Sequence, residues 1–335
     1  MTCDSALPEN DTAEAISHGL YTAHKAYGRS RTVPSTPLCL LFVVQDHENN
    51  IFDQEAVSLI LECKYGIPVF RLPFSATLTQ TSFPVDNVDR PLMYHPPHQS
   101  AIQYEVTTIY FRAGYSPSEY PSATAWDARI QLERSAAIKC PSVLTHLAGS
   151  KKIQQMLAVP SSTSLEDFMS QTRYFESVDA MRATWTAMYP MDDSSDGLKA
   201  IEMARHEEMS KNFVLKPQRE GGGNNIYGAN IPPFLKSLGS DINKYKSYVL
   251  MELIEPPSVR NTILRNGQVQ SGEVIGELGI YGVCLWRTAA DPKSFGEVFV
   301  NKEAGFLLRT KGRDSEEGGV AAGFGAIDSP LLTDK

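Results

Sequence analysis

The chain has 335 residues, 42% of them hydrophobic and 21% charged, with a formal net charge of −8. This is globular composition, long enough for about two domains. The acidic balance argues against non-specific nucleic-acid binding, and the longest apolar run, Leu38–Val44, is too short to cross a bilayer.

The opening Met1-Thr2-Cys3-Asp4 has neither the basic start nor the apolar core of a signal peptide. The five cysteines are widely spaced, without a CxxC pair, as expected of reduced thiols in a cytoplasmic protein. Residues 1–36 read as a polar tail followed by a short helix, SHGLYTAHKAYG, that ends at Gly28. LCLLFVVQ (38–45) is a continuous apolar run, the pattern of a strand buried on both faces of a parallel sheet. Asp53 is placed to cap the next helix, whose Val57, Ile60 and Leu61 share one face. Ile67–Arg71 follows as a second strand, completing a right-handed strand–helix–strand unit.

Residues 72–103 are rich in Pro, Ser, Thr and Gln and read as loop. His95 and His98 lie there, but the prolines between them forbid a helix and argue against a metal pair. Val106–Arg112 is a third strand, and a helix from about Thr124 is expected to bury Trp126, Ile130 and Ala137. In such a sheet ligands sit beyond the carboxyl ends of the strands, here near residues 45–54 and 112–115. The fold class is therefore α/β, with residues 37–148 forming a parallel substrate-binding domain.

From Gly149 the pattern changes. SKKIQQML starts a helix with Lys151 and Lys152 in its first turn, the end where the helix dipole disfavours cations, which hints at an anionic ligand. Residues 161–210 read as mainly helical, interrupted by an acidic turn at 192–196. The runs 247–254, 273–286, 297–301 and 306–310 are β-rich and suggest an antiparallel sheet within a domain spanning 149–335.

The most informative stretch is NFVLKPQREGGGNNIYG (212–228). A short strand ends on Lys216, and Gly221, Gly222 and Gly223 open a loop before Asn224 and Asn225. Exposed backbone N–H groups in such a loop can hold phosphate oxygens, Lys216 adds a point charge, and Glu220 offers an oxygen to Mg²⁺. The P-loop order of glycines before lysine is reversed here. Met251, Glu252, Leu253 and Ile254 end a strand and could meet an adenine edge. Glu277 is a strand carboxylate suited to a metal or a ribose. Arg309 and Lys311 alternate along LLRTK, so they share a face and could clamp an anion.

KPQREGGGNNIYG and YVLMELIEP (248–256) resemble eukaryotic glutathione synthetase of the ATP-grasp superfamily. NNIFDQ (49–54), YFRAGY (110–115), WDARIQLERS (126–135), AGSKKIQQ (148–155), LLRTK (307–311) and GGVAAG (318–323) follow in the family's order. The resemblance implies an ATP-grasp domain over 149–335 with Gly-rich lid loops. It also implies an ATP-dependent carbon–nitrogen ligase that joins glycine to γ-glutamylcysteine, a homodimer needing Mg²⁺. By the same resemblance, ATP would be bound by Lys151, Lys216, Glu220, Gly221, Gly222, Gly223, Asn224, Asn225, Tyr227, Met251, Glu252, Leu253, Ile254, Glu277 and Lys311. Glu220 would hold the metal. The peptide would be held by Glu48, Asn49, Asn50, Gln54, Arg112, Ala113, Gly114, Tyr115, Arg309, Val320 and Ala321, with Lys216, Arg309 and Glu220 acting catalytically. The family also carries an N-terminal portion with an E-x-N metal motif, and no such motif stands before Leu38. The chain is accordingly expected to be truncated. A rival expectation is an impaired relative that binds nucleotide or thiol peptide without ligase activity.

Overall fold

A computed structural model describes residues 7–98, 101–170, 175–218, 224–265, 267–289, 291, 296–313, 315, 320 and 325–332. They divide into two compact units, one of residues 1–143 with 259–335 and one of residues 144–258. The first unit opens with α1 (Thr12–Tyr27), β1 (Leu38–Val44), α2 (Ile51–Tyr65) and β2 (Val69–Pro73). It continues with α3 (Thr77–Gln80), β3 (Thr81–Ser82), β4 (Leu92–Tyr94), β5 (Tyr104–Phe111), α4 (Ala123–Arg134) and β6 (Ile138–Cys140). The sheet runs β2-β1-β5-β4-β3, with β6 also on β5. β1 is parallel to β2 and β5, as its apolar run predicts, whereas β3 and β4 add an antiparallel edge. That edge corrects the reading of 72–103 as loop: its strands are two and three residues long, too short for a periodic signal.

β1 lies between two cores. Cys39, Leu41 and Val43 join Leu72, Val106, Ile109 and Leu132 on one face. Leu40, Phe42 and Val44 meet Leu20, Val57, Leu61 and Ile67 on the other. Burying such side chains stabilises the unit by about 2 kcal/mol each, an upper bound for a denatured chain that is already partly collapsed.

Two further expectations are corrected. α2 begins at Ile51 with Asn50 at its N-cap, so Asp53 lies in the first turn, where a carboxylate still suits the dipole. α4 buries Ala128, Arg129 and Leu132, while Trp126 is 54% and Ile130 47% exposed. Ala137 is buried but follows the helix. Arg129 takes the inward position because its guanidinium lies 4.0 Å over the Phe111 ring and donates to the Gly114 carbonyl at 3.2 Å.

The second unit begins with α5 (Val143–Ala148), α6 (Lys151–Ala158), α7 (Ser164–Met169), α8 (Val178–Arg182), β7 (Met188–Pro190) and α9 (Ser195–Arg205). β8 (Phe213–Pro217), β9 (Ile226–Tyr227), α10 (Ile231–Leu238), α11 (Ile242–Tyr245) and β10 (Tyr248–Glu252) complete it. Its antiparallel sheet has the order β7-β10-β8-β9. Phe213, Leu215 and Leu250 pack with Ala200, Ile201, Ile231 and Leu235 from α9 and α10.

β11 (Val259–Arg265), β12 (Gln268–Arg287), β13 (Glu297–Gly312) and β14 (Ala326–Asp328) form a separate antiparallel sheet belonging to the first unit. The β-rich C-terminal half thus supplies two sheets. The division also differs from the contiguous 149–335 domain read from sequence, because β13 is tied to the start of the chain. The Asn10 amide behaves like a neighbouring peptide: it donates to the Phe306 carbonyl at 2.9 Å and accepts from the Phe306 N–H at 3.3 Å. Gly305, with φ +87°, allows that approach, since a Cβ there would lie 2.0 Å from Thr12 Oγ1.

The loop from α1 to β1 is fastened by Glu105 on β5. This fully buried carboxylate accepts from Tyr27 at 2.7 Å, the Ser30 hydroxyl at 2.6 Å, the Arg31 N–H at 2.8 Å and the Thr32 hydroxyl at 2.9 Å. Burial alone would raise its pKa, but these donors outweigh burial and hold it below the usual value. A depressed folded-state pKa contributes stability that is present above the unfolded carboxyl's pKa and is lost as pH falls through the folded one. Glu105→Ala should therefore cost about 3 kcal/mol at pH 7 by stranding several buried donors. The difference from wild type should shrink below pH 4.5, the ordinary carboxyl value. Urea unfolding at both pH values measures it.

Candidate functional site

Of the expected peptide-binding residues, Glu48, Asn49, Asn50, Gln54 and Arg112–Tyr115 lie on the segments that leave the carboxyl ends of β1 and β5, whereas Arg309 stands on β13 in the other sheet. Glu48 accepts the Asn50 N–H at 2.8 Å. Burial would raise its pKa, but hydrogen bonding from this stretch, the nearby Gln54 amide and the Arg112 charge together lower it. Gln54 is 1% exposed, and its Oε1 accepts from Arg71 Nη2 at 2.8 Å. Gln54 Nε2 and Glu48 Oε2 are both buried, and the Gln54 amide hydrogen-bonds the Glu48 carboxylate as a donor beside its acceptor. Arg71 also approaches Glu55 at 3.6 Å. Asn49 is exposed.

Arg112 is oriented by two partners, Asp53 at 2.6 Å and the Tyr110 hydroxyl at 3.1 Å. Burial works against its charge, but Tyr110 and Asp53 outweigh it and raise its pKa. The turn after Arg112 is held from inside. Glu119 accepts from the N–H groups of Gly114 at 2.8 Å, Tyr115 at 3.2 Å and Ser116 at 2.9 Å. Ala113 is buried. With these amides turned to Glu119, a ligand at this turn meets side chains.

Glu277, Arg309 and Lys311 also meet within the first unit. Glu277 pairs in register with Arg309 across β12 and β13. Its Oε2 accepts from Arg309 at 3.0 Å, and its Oε1 lies 3.0 Å from Lys311 Nζ. The two cations share a face, as their alternation predicts. Sequence reading missed the carboxylate opposite them, since only the β12–β13 register reveals it. Glu277 is consequently neutralised by two cations and poorly disposed to ligate Mg²⁺. Among the described residues no cluster of three acidic, His or Cys side chains is arranged for a metal. Glu220, Gly221, Gly222, Gly223 and Ala321 lie outside the described residues. Val320 lies in a turn.

In the second unit, Lys216 and Met251 lie on one face of the sheet: Lys216 pairs with Val249, and Val214 pairs with Met251. Glu252 points to the opposite face and accepts from the Tyr189 hydroxyl at 3.2 Å. Leu253 and Ile254 are exposed, and the Leu253 N–H donates to the Asn212 carbonyl at 2.8 Å. Asn225 donates to Tyr227 at 3.1 Å, and Asn224 is exposed. α6 starts against the same loop: Gln218, two residues past Lys216, accepts the Lys152 N–H at 3.1 Å. Lys152 Nζ lies 3.5 Å from Asp192, and Lys151 donates to Gln154 at 2.7 Å. These contacts offset much of the disfavour of two cations in the first turn.

A family profile described as eukaryotic glutathione synthase, ATP-binding domain, matches residues 1–332. The chain belongs to the eukaryotic glutathione synthase family. It is 38% identical over 300 residues to the glutathione synthetase large chain of Schizosaccharomyces pombe, covering 90% of this chain and 56% of that protein. Against the glutathione synthetase of Dictyostelium discoideum it is 36% identical, covering 97% and 63%. Against that of Rattus norvegicus it is 38% identical, covering 97% and 62%. The chain thus spans 56–63% of the length of these relatives. Among solved structures, a glutathione synthetase-like effector from Globodera pallida in its apo form aligns with a TM-score of 0.68 at 18% identity. That alignment covers 98% of this chain and 64% of the effector, and it establishes the fold. The α/β class read from sequence is the class of this family member.

Arg129 has no place in the sequence-derived site, yet it holds the Gly114 carbonyl and is 6% exposed. Arg129→Met should lower stability by about 3 kcal/mol, leaving Glu133 and the carbonyl without their cation. Arg129→Lys should recover less than half of that, because an ammonium cannot both stack and fork. Thermal unfolding of the two variants measures the difference.

Proposed function

We propose that this chain catalyses ATP-dependent ligation of glycine to γ-glutamylcysteine through an acyl phosphate. The observation that carries the reading is the placement of Lys216 and Met251 on one sheet face, within a sequence that matches the family along almost its whole length. Lys216 would neutralise charge on the transferring phosphoryl group while Met251 packs against the base. Lys151 and Tyr227, flanking the same loop, would complete the nucleotide contacts, with the backbone of Glu252–Ile254 at the adenine edge.

A carboxylate oxygen of the dipeptide attacks the γ-phosphorus, and the bond to ADP breaks. The glycine amine then attacks the acyl carbon, phosphate leaves, and the amine loses its proton. Arg309, Arg112 and Gln54 would orient the peptide. Glu220 would hold Mg²⁺, which would neutralise charge on the phosphate oxygens. A homodimer in the cytoplasm is also part of the reading, testable by sedimentation and cell fractionation.

Calorimetric titration with ATP should give binding that Lys216→Ala abolishes while the fold is retained. Phosphate release should then require both γ-glutamylcysteine and glycine. Binding without turnover would instead leave a nucleotide-binding relative.

Arg309 and Lys311 share Glu277 yet are assigned to different ligands. Arg309→Ala should raise KM for the peptide at least 10-fold more than KM for ATP, the size expected from losing a charged contact. Equal effects on both would remove the division.

A further inference from the structure

We propose that a cleft among α9, α10 and α11 binds a phosphate monoester with an apolar substituent, separately from the nucleotide position at Lys216. The cleft is open and has a volume of about 560 Å³, within the range of small-molecule sites. It lies entirely in the second unit. Leu215 and Leu250 pack against α9 and α10 on one face of the sheet, while Lys216 stands on the other. The cleft is therefore on the side away from Lys216.

Its chemistry begins at Tyr245, which ends α11 and is 2% exposed. A phenolic hydroxyl has one proton to give and lone pairs to accept with. Tyr245 gives its proton to the Gly239 carbonyl and accepts from Arg205 Nη2 at 2.9 Å. The Arg205 guanidinium also lies 5.6 Å from the centroid of the Tyr245 ring. A buried tyrosine thus orients a guanidinium that keeps most of its five donors for a ligand. Lys236 lines the same cleft from α10. Among the described residues neither cation makes an ion pair, unlike Arg112, Arg182 and Arg309.

Cations suit the C-terminal ends of helices, and Arg205 and Lys236 stand in the last turns of α9 and α10. That preference accounts for two charges, but not for the tyrosine that holds one of them in place. Helix carbonyls do not repel an anion here. Those of Leu235 and Gly239 face the Tyr245 hydroxyl, and that of Lys236 accepts the Gly239 N–H at 3.2 Å. A guanidinium fork and an ammonium in one cleft match a doubly charged phosphate. Pro232, Pro233 and Leu235 offer an apolar wall to its substituent. Glu207 also lines the cleft, and its charge opposes the anion.

The probe is phenyl phosphate, titrated by calorimetry, with inorganic phosphate and phenol as its separate halves. Wild type should bind it with a dissociation constant below about 1 mM, and each half about 10-fold more weakly or worse. Lys236 is exposed, so Lys236→Met should leave the fold intact and weaken binding about 10-fold. Tyr245→Phe keeps the ring but releases Arg205, and should weaken binding about 3-fold with the chain still folded by thermal unfolding. Glu207→Gln should strengthen it by about the same factor. ATP should not displace phenyl phosphate, and its own affinity should be unchanged in all three variants. No binding to wild type, wild-type affinity in Lys236→Met, no gain in Glu207→Gln, or displacement by ATP overturns the site. Unchanged affinity in Tyr245→Phe overturns the orienting role of the tyrosine, and inorganic phosphate binding as tightly as phenyl phosphate overturns the apolar wall. A wild type that binds phenyl phosphate but no ATP upholds this site and overturns the nucleotide reading at Lys216.

Discussion

The first unit depends on a strand that no water reaches. β1 sends alternate side chains into two different cores, so its position is fixed from both faces and its parallel neighbours β2 and β5 are fixed with it. A one-residue slip would exchange the two cores wholesale. Because the strands are parallel, their carboxyl ends emerge together, and the segments that follow β1 and β5 converge. Arg112 and Asp53 are distant in sequence and 2.6 Å apart in space for this reason.

In both sheets of the first unit, several cations come with a counter-group that restricts them. Arg112 rests on Asp53 and Tyr110, Arg71 on Gln54 and Glu55, and Arg309 with Lys311 on Glu277. These pairs add little to stability where they are solvated. Their value lies in orientation, since a preorganised donor need not be reordered when an anionic ligand arrives. The same logic applies in the second unit, where Lys152 rests on Asp192 and on the amide oxygen of Gln218.

Where sequence reading went astray, the cause is physical. The face of α4 was misassigned because Trp126 and Ile130 are large and apolar, yet Trp126 stacks on Tyr120 at 4.2 Å near the surface. Arginine takes the inward place through its ring and carbonyl contacts, a pairing that hydrophobic periodicity does not register. β7 was absorbed into a helical stretch because three residues carry no period, and its identity comes from pairing with β10. The second β-rich sheet belongs to the first unit because α1 packs on β12 and β13 and Asn10 bonds to Phe306, contacts that join the start of the chain to its far end.

By itself the sequence determined the local elements whose signal is dense: the doubly buried β1, the α1 that stops at Gly28, the Lys216 strand end and the shared face of Arg309 and Lys311. It also determined the family, because the motifs stand in a fixed order along most of the chain. Only the tertiary structure decided which carboxylate neutralises which cation, which side of α4 is buried, and how the Gln54 amide is turned. Those outcomes depend on groups brought together from distant positions, and burial then forces their polar atoms to find one another or to remain available to a ligand.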